Sequence, residues 1–248
     1  MTGAESLIVL PTYNEAESLR GVLARIRVAV PDADVLIVDD ASPDGTGRIA
    51  DELAAGDPGV RVLHRPAKDG LGSAYLAGFA LAAAEGYRFV VELDADGSHD
   101  PGELPTMIAL ASDEGADLVI GSRWVAGGTV VNWPWLRRAI SRSGNRYARW
   151  MLRSRLQDLT AGFRVYRTAV LAGLDGAVVS SHGYCFQVEL AWRIERRGRR
   201  IIEHPIAFVE RATGRSKMHA GIVGEALWRV TAWGVALRSG RAVPGEAP

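Results

Sequence analysis

The sequence predicts an α/β fold: a mostly parallel sheet flanked by helices, followed by an amphipathic C-terminal helix. Three observations carry this. Short β-branched runs alternate with helical periodicity along the first half, as in sheets built from crossover-connected parallel strands. A length of 248 residues with 48% apolar content is enough for one large core. No run reaches ~18 uninterrupted apolar residues, so no spanning helix is expected and any membrane contact would be peripheral.

Taken in order, strands are expected at Ser6–Leu10, Asp34–Val38, Val60–Leu63, Arg88–Leu93 and Asp117–Gly121. Between the first two, Leu19, Val22, Leu23, Ile26 and Val30 share one helical face, and Asn14 with Glu17 reads as a capping box. Gly70, Gly72 and Ser73 open another helix, whose first N–H groups could face phosphate. Asp100 starts a further one, with Pro101 at its first position and Glu103 at its third. From Trp133 to Arg153, arginines 138, 142, 146, 149 and 153 follow one face, beside Leu136, Ile140, Ser143, Tyr147, Trp150 and Met151. From His219 to Arg238, Ile222, Val223, Leu227, Val230, Trp233 and Leu237 keep a second apolar register. Such faces either lie in a lipid headgroup layer or pack against their own protein. The expected organisation is one domain over residues 1–212, an amphipathic membrane-facing segment over 213–242 and a disordered tail over 243–248.

Charge divides the chain. The 29 basic and 29 acidic side chains cancel, which argues against nucleic-acid binding by bulk charge. Residues 1–129 nevertheless carry 9 basic and 21 acidic groups, and the remainder carries 20 and 8. All seven tryptophans lie beyond residue 123. One cysteine, Cys185, excludes an internal disulfide, and without a leader-like N-terminus a cytoplasmic protein is expected. Cys185 follows His182, but with no third group to complete a nucleophile it reads as a packed residue at a helix start.

Ligands of open α/β sheets gather beyond the carboxyl ends of strands. Here those ends carry Pro11 to Glu15, Asp39 to Thr46 and Asp94 to Asp100. So many carboxylates along one edge call for cations or hydrogen-bond donors. Asp94 and Asp96 suit hard Mg²⁺ or Mn²⁺, which takes one or two protein carboxylates and completes its shell from phosphate and water. For Asp158 and Arg164, a buried structural ion pair competes with a functional role. Gln187 and Glu189 could line a sugar or acceptor pocket.

The ordered motifs Pro11-Thr12-Tyr13-Asn14-Glu15, Val38 to Thr46, Gly70 to Ala74, Asp94 to Pro101, Gly121-Ser122-Arg123, Asp158 to Arg164 and Arg211 to Met218 resemble those of family 2 glycosyltransferases of the GT-A (Rossmann-like) fold. Within them the chain is similar to the polyprenol-phosphate mannose synthases. The resemblance implies inverting transfer of mannose from GDP-mannose to a polyprenyl phosphate. It implies that Pro11, Tyr13, Glu15, Val38 and Asp40 hold base and ribose, and that Asp94, Ala95 and Asp96 meet the diphosphate and its metal. Ser98 stands where the family often has a further metal contact, and Arg123, Arg211 and Lys217 match its phosphate-binding cations. Asp96, Arg123 and Lys217 are the candidate catalytic residues; Arg123, Arg138, Ser216 and Gln187 are candidates for the acceptor phosphate. A peripheral position on the inner face of the cytoplasmic membrane and a separate membrane-anchor protein fit the same picture. A UDP-glucose-dependent transferase and a noncatalytic nucleotide-binding scaffold subunit stay open as alternatives.

Overall fold

The computed structural model describes residues 3–172, 185–210 and 220–241. The elements run β1 (Ser6–Thr12), α1 (Leu19–Ala29), β2 (Asp34–Asp39), α2 (Thr46–Gly56), β3 (Val60–His64), α3 (Leu71–Ala84), β4 (Phe89–Glu92), α4 (Leu104–Ser112), β5 (Leu118–Ser122) and β6 (Thr129–Val131). Then follow α5 (Trp135–Leu152), β7 (Arg164–Arg167), α6 (Thr168–Ala172), α7 (Cys185–Arg196), β8 (Ile201–Pro205), β9 (Ala207–Val209) and α8 (Ala220–Arg238).

Among the described residues the main sheet has the order β3-β2-β1-β4-β7-β5-β8, and β6 pairs with β9 in a small second sheet. Only β7 runs antiparallel, to both β4 and β5. The carboxyl ends of β1, β2, β4 and β5 therefore meet at one edge. Alternation along β1 feeds two cores. Ile8 and Leu10 pack with Leu19, Val22, Leu104 and Met107 on one face. Leu7 and Val9 pack with Tyr75, Phe79, Trp192 and Trp233 on the other.

Of two local expectations, one changes and one holds. Asn14 does not cap α1, which begins at Leu19. Asn14 sits instead at φ 58°, inside the loop, where its N–H donates to Ser42 Oγ at 3.1 Å. At Asp100 the expectation holds: its carboxylate accepts from the Gly102 N–H at 3.0 Å and Pro101 opens a 3-10 turn that leads into α4. The helix α8 joins the main core through Val230, Trp233 and Ala236, with Trp233 stacked on Trp192 at 5.6 Å. Met151 of α5 lies where a Cβ on Gly234 would come within 2.6 Å, so the glycine sets how closely the two helices approach. Residues 243–248 lie outside the described part.

Candidate active site

The loops after β1 and β2 are tied to each other by their own carboxylates. Asp39 accepts from Thr12 Oγ1 at 2.9 Å and from the Ser42 hydroxyl at 2.6 Å. Asp44 accepts from the Ala16 N–H at 3.2 Å and from the Thr46 hydroxyl at 2.6 Å, and the Thr46 oxygen in turn takes the Glu15 N–H at 3.0 Å. Asp40 pairs with Arg65 at 2.9 Å. Burial raises its carboxyl above the usual range even with Arg65 pulling the other way. Val38 is wholly buried and serves the core. Pro11 and Glu15 line a cavity, and Lys68 Nζ lies 4.1 Å over the Tyr13 ring.

That cavity, of about 280 Å³, opens at the end of β4, where Asp94, Ala95 and Asp96 line it. Asp94 Oδ1 accepts from the Tyr75 hydroxyl at 3.2 Å. Asp96 Oδ1 accepts from the Ser98 N–H at 2.9 Å, a turn that aims the carboxylate. Ser98 itself is buried, and its carbonyl takes the Val209 N–H at 3.0 Å. Among the described residues no group of three or more His, Cys, Asp and Glu side chains assembles a closed metal cage. Two partly exposed carboxylates on a cavity wall fit a hard divalent ion that completes its shell from substrate phosphate and water. His99 is buried against Phe163 and Phe208, its Nε2 4.0 Å from Asp94. Burial drives its pKa down to about 4 against the pull of Asp96, so the ring is neutral at pH 7.

Arg123 also lines the cavity, committed to a partner the sequence did not indicate. Its Nε and Nη2 reach the two oxygens of Asp158 at 2.8 and 2.7 Å, and its N–H adds a third bond at 3.0 Å. Burial opposes the Asp158 charge, but Arg123 outweighs it and holds the carboxyl below its usual range. Asp158 therefore pairs with Arg123 and not with Arg164, which donates to the carbonyls of Leu159, Ala161 and Gln187. A phosphate bound at Arg123 would share the guanidinium with Asp158. Trp124, Trp133 and Phe208 surround that guanidinium at 5.6–5.8 Å.

The cavity continues into the cleft between α5 and α8, lined there by Ile140, Tyr147, Val223, Leu227 and Val230. Toward the C-terminal end of α5 the helices are tied: Tyr147 and Thr231 share a hydroxyl bond at 2.6 Å, and Arg238 donates to the carbonyls of Met151 and Trp150. Toward its N-terminal end the apolar side chains are open. Trp135 is 78% exposed, Trp228 69% and Leu136 and Ile140 54% each. Arg138, Arg142 and Arg146 stand in solvent alongside.

Of the predicted residues, Pro11, Glu15, Asp94, Ala95, Asp96, Arg123 and Gln187 line this cavity, whereas Tyr13, Val38, Asp40, Ser98 and Arg138 do not. Arg138 donates to the Val130 carbonyl at 3.3 Å, while Arg137 and Ser141 of the same helix line the cavity. Arg137 is paired with Glu210 and lies 4.3 Å from the Trp133 ring. Helical spacing counted the arginine stripe correctly but could not say that its neighbour one position back points inward. Glu189 is buried in a pair with Arg193 and does not line the cavity. Cys185 is buried at the start of α7, and burial pushes its thiol up to about 12, as a packed residue requires. Arg211, Ser216, Lys217 and His182 lie outside the described residues.

Comparison with known proteins agrees with this architecture. The chain is 56% identical over 232 residues to an undecaprenyl-phosphate mannosyltransferase of Micrococcus luteus, covering 94% of this chain and 95% of that protein. It is 50% identical over 238 residues to a polyprenol monophosphomannose synthase of Mycolicibacterium smegmatis, covering 96% and 89%. Two solved structures share the fold. A mannosyltransferase from Pyrobaculum calidifontis in complex with GDP-Man and Mn²⁺ has TM-score 0.60 at 20% identity, covering 98% of this chain and 67% of that one. Glucosyl-3-phosphoglycerate synthase from Mycobacterium tuberculosis, in complex with Mn²⁺, UDP and glucosyl-3-phosphoglycerate, has TM-score 0.64 at 23% identity, covering 96% and 80%. Residues 7–174, which include the strand ends, the paired aspartates and the Arg123–Asp158 pair, match Glycosyl transferase family 2, and the chain belongs to that family.

Proposed function

We propose that this glycosyltransferase moves mannose from GDP-mannose to a polyprenyl monophosphate, with inversion at the anomeric carbon, while resting on a membrane surface. The observation that carries the reading is one cavity with two chemistries: carboxylates at the β4 end and an apolar cleft between α5 and α8. A nucleotide sugar needs the first and a lipid chain the second. The names of the two curated relatives support the acceptor and the sugar. GDP-Man with Mn²⁺ in a protein of the same fold supports the donor and a divalent ion.

A phosphate monoester, with its second pKa near ~6, is largely dianionic at neutral pH and already nucleophilic. The chain then needs to position it and stabilise charge, not to remove a proton. Arg123 and Arg137 would orient the acceptor phosphate from the cavity wall, the aromatic ring cluster around Arg123 excluding water. Asp94 and Asp96 would hold Mg²⁺ or Mn²⁺, which supplies Lewis-acid stabilisation of the departing diphosphate. Pro11, Tyr13, Glu15 and Asp40 are assigned to the nucleoside, and Arg211, Ser216 and Lys217 to the phosphates by resemblance. No helix among the described residues is long and apolar enough to cross a membrane. Trp135, Leu136, Ile140 and Trp228 are placed in the headgroup layer, with the Arg138, Arg142 and Arg146 stripe toward anionic lipid.

The test is direct. Protein with Mg²⁺ or Mn²⁺, labelled polyprenyl phosphate and either GDP-mannose or UDP-glucose should yield a lipid-linked sugar from GDP-mannose alone. Product from UDP-glucose alone would overturn the donor, and nucleotide binding without product from either would overturn the enzyme reading.

A further inference from the structure

Beside Asp94 lies a buried set of hydrogen bonds whose directions are fixed by chemistry. Arg164, fully buried on β7, can only donate, and its Nη1 reaches the Tyr166 hydroxyl oxygen at 3.3 Å. Tyr166 must therefore send its own proton elsewhere, and it donates to Glu92 Oε2 at 2.8 Å. The other oxygen, Glu92 Oε1, accepts from Gln187 Nε2 at 2.7 Å. Against an ionised Glu92, turning the Gln187 amide over would set two oxygens against each other, so Nε2 is held toward the carboxylate. The consequence is an amide oxygen left over. Gln187 is 2% exposed and lines the cavity, and its Oε1 is buried without a hydrogen-bond partner among the described residues. It is also close to the reacting end: a Cβ on Gly162 would fall 2.9 Å from Gln187 Nε2 and 3.3 Å from Asp94 Oδ2. Glycine is what lets the two side chains stand together.

We propose that Gln187 Oε1 accepts a hydrogen bond from a hydroxyl of the donor hexose, and that Arg164, Tyr166 and Glu92 are positioning residues that aim it. The assignment rests on the nucleotide-sugar reading above. It departs from the sequence-based expectation that Gln187 meets the acceptor phosphate. An oxygen that can only accept repels a phosphate dianion, whereas a sugar hydroxyl supplies the missing proton. A buried acceptor also discriminates, because a donor lacking that hydroxyl leaves the oxygen unpaired.

The experiment compares wild type, Gln187→Met and Tyr166→Phe with GDP, GDP-mannose and GDP-mannose analogues lacking single hydroxyls. Gln187→Met should keep GDP affinity within about two-fold, which also shows that it folds, and lose about 10-fold or more in kcat/KM for GDP-mannose. One deoxy analogue should lose a similar factor in wild type and nothing further in Gln187→Met. Intrinsic effects of removing a hydroxyl appear in both proteins and cancel in that comparison. Tyr166→Phe should weaken discrimination at the same hydroxyl, which a purely structural role would not do. Unchanged GDP-mannose kinetics in Gln187→Met, or deoxy losses that simply add to the mutation, would overturn the assignment. Wild type that binds GDP but turns over no GDP-mannose would overturn the donor reading and this assignment with it.

Discussion

The two ends of the cavity are built in opposite ways. At the β1 and β2 ends, Asp39 and Asp44 are saturated by hydroxyl and N–H groups of neighbouring loops, and Asp40 by Arg65. The acidic half thus uses much of its charge to fasten loops to a parallel sheet. At the α5 and α8 end, the basic half leaves Trp135, Leu136, Trp228 and the Arg138, Arg142 and Arg146 stripe uncovered. Rigid polar geometry suits a diphosphate and a small cation, whose positions must be set closely. An open amphipathic face suits a lipid surface, which has no fixed geometry to match. Neutrality of the whole chain conceals this contrast.

The contrast can be broken at either end. The largest effect is expected from Asp96→Ala: loss of turnover by about 10³-fold with nearly unchanged melting temperature, since Asp96 lies on the cavity wall and not in a core. Turnover within a few-fold of wild type would remove the metal assignment. Asp158→Asn is next. It strips the charge partner from buried Arg123 and should cost about 3–5 kcal/mol in denaturant unfolding. Because the folded Asp158 carboxyl sits below its unfolded value near ~3.9, its contribution is present above that pH and is lost as pH falls through the folded value. The gap between wild type and Asp158→Asn should therefore be full at pH 7 and close in acid; a gap that is constant with pH would contradict the pairing. The smallest effect per residue is expected on α5. Reversing Arg138, Arg142 and Arg146 to Glu should weaken binding to anionic vesicles by about 1 kcal/mol for each cation removed, and less at high salt. Unchanged vesicle binding would make the stripe an ordinary solvated face.

The first five strands were legible because continuous β-branched runs mark strands buried on both faces. Strand β7 was not. Arg164-Val165-Tyr166-Arg167 carries an arginine at each end, and only burial against Leu159, Ala161 and Gln187 carbonyls explains why Arg164 belongs inside. The Arg123–Asp158 pair spans 35 residues and joins two loops. Each residue stood out in its own motif, but nothing in either motif says that one answers the other. The amphipathic faces of α5 and α8 were readable from spacing. Which part of each face is covered was not, since Gly234 and Met151 set that locally.

What the sequence determined alone is what depends on neighbours along the chain: the periodicity of strands and helices, the acidic turns after β1, β2 and β4, and the basic aromatic second half. What only the tertiary structure decided is the pairing of distant groups. It joined Asp158 to Arg123, turned Arg137 rather than Arg138 into the cavity, and used the one-way donors of Arg164 and Tyr166 to leave the oxygen of cavity-lining Gln187 without a partner among the described residues. The physical reason is burial. In water each of these polar groups would be satisfied by solvent; once removed from it, each must find a partner in space, and that partner need not be near in sequence.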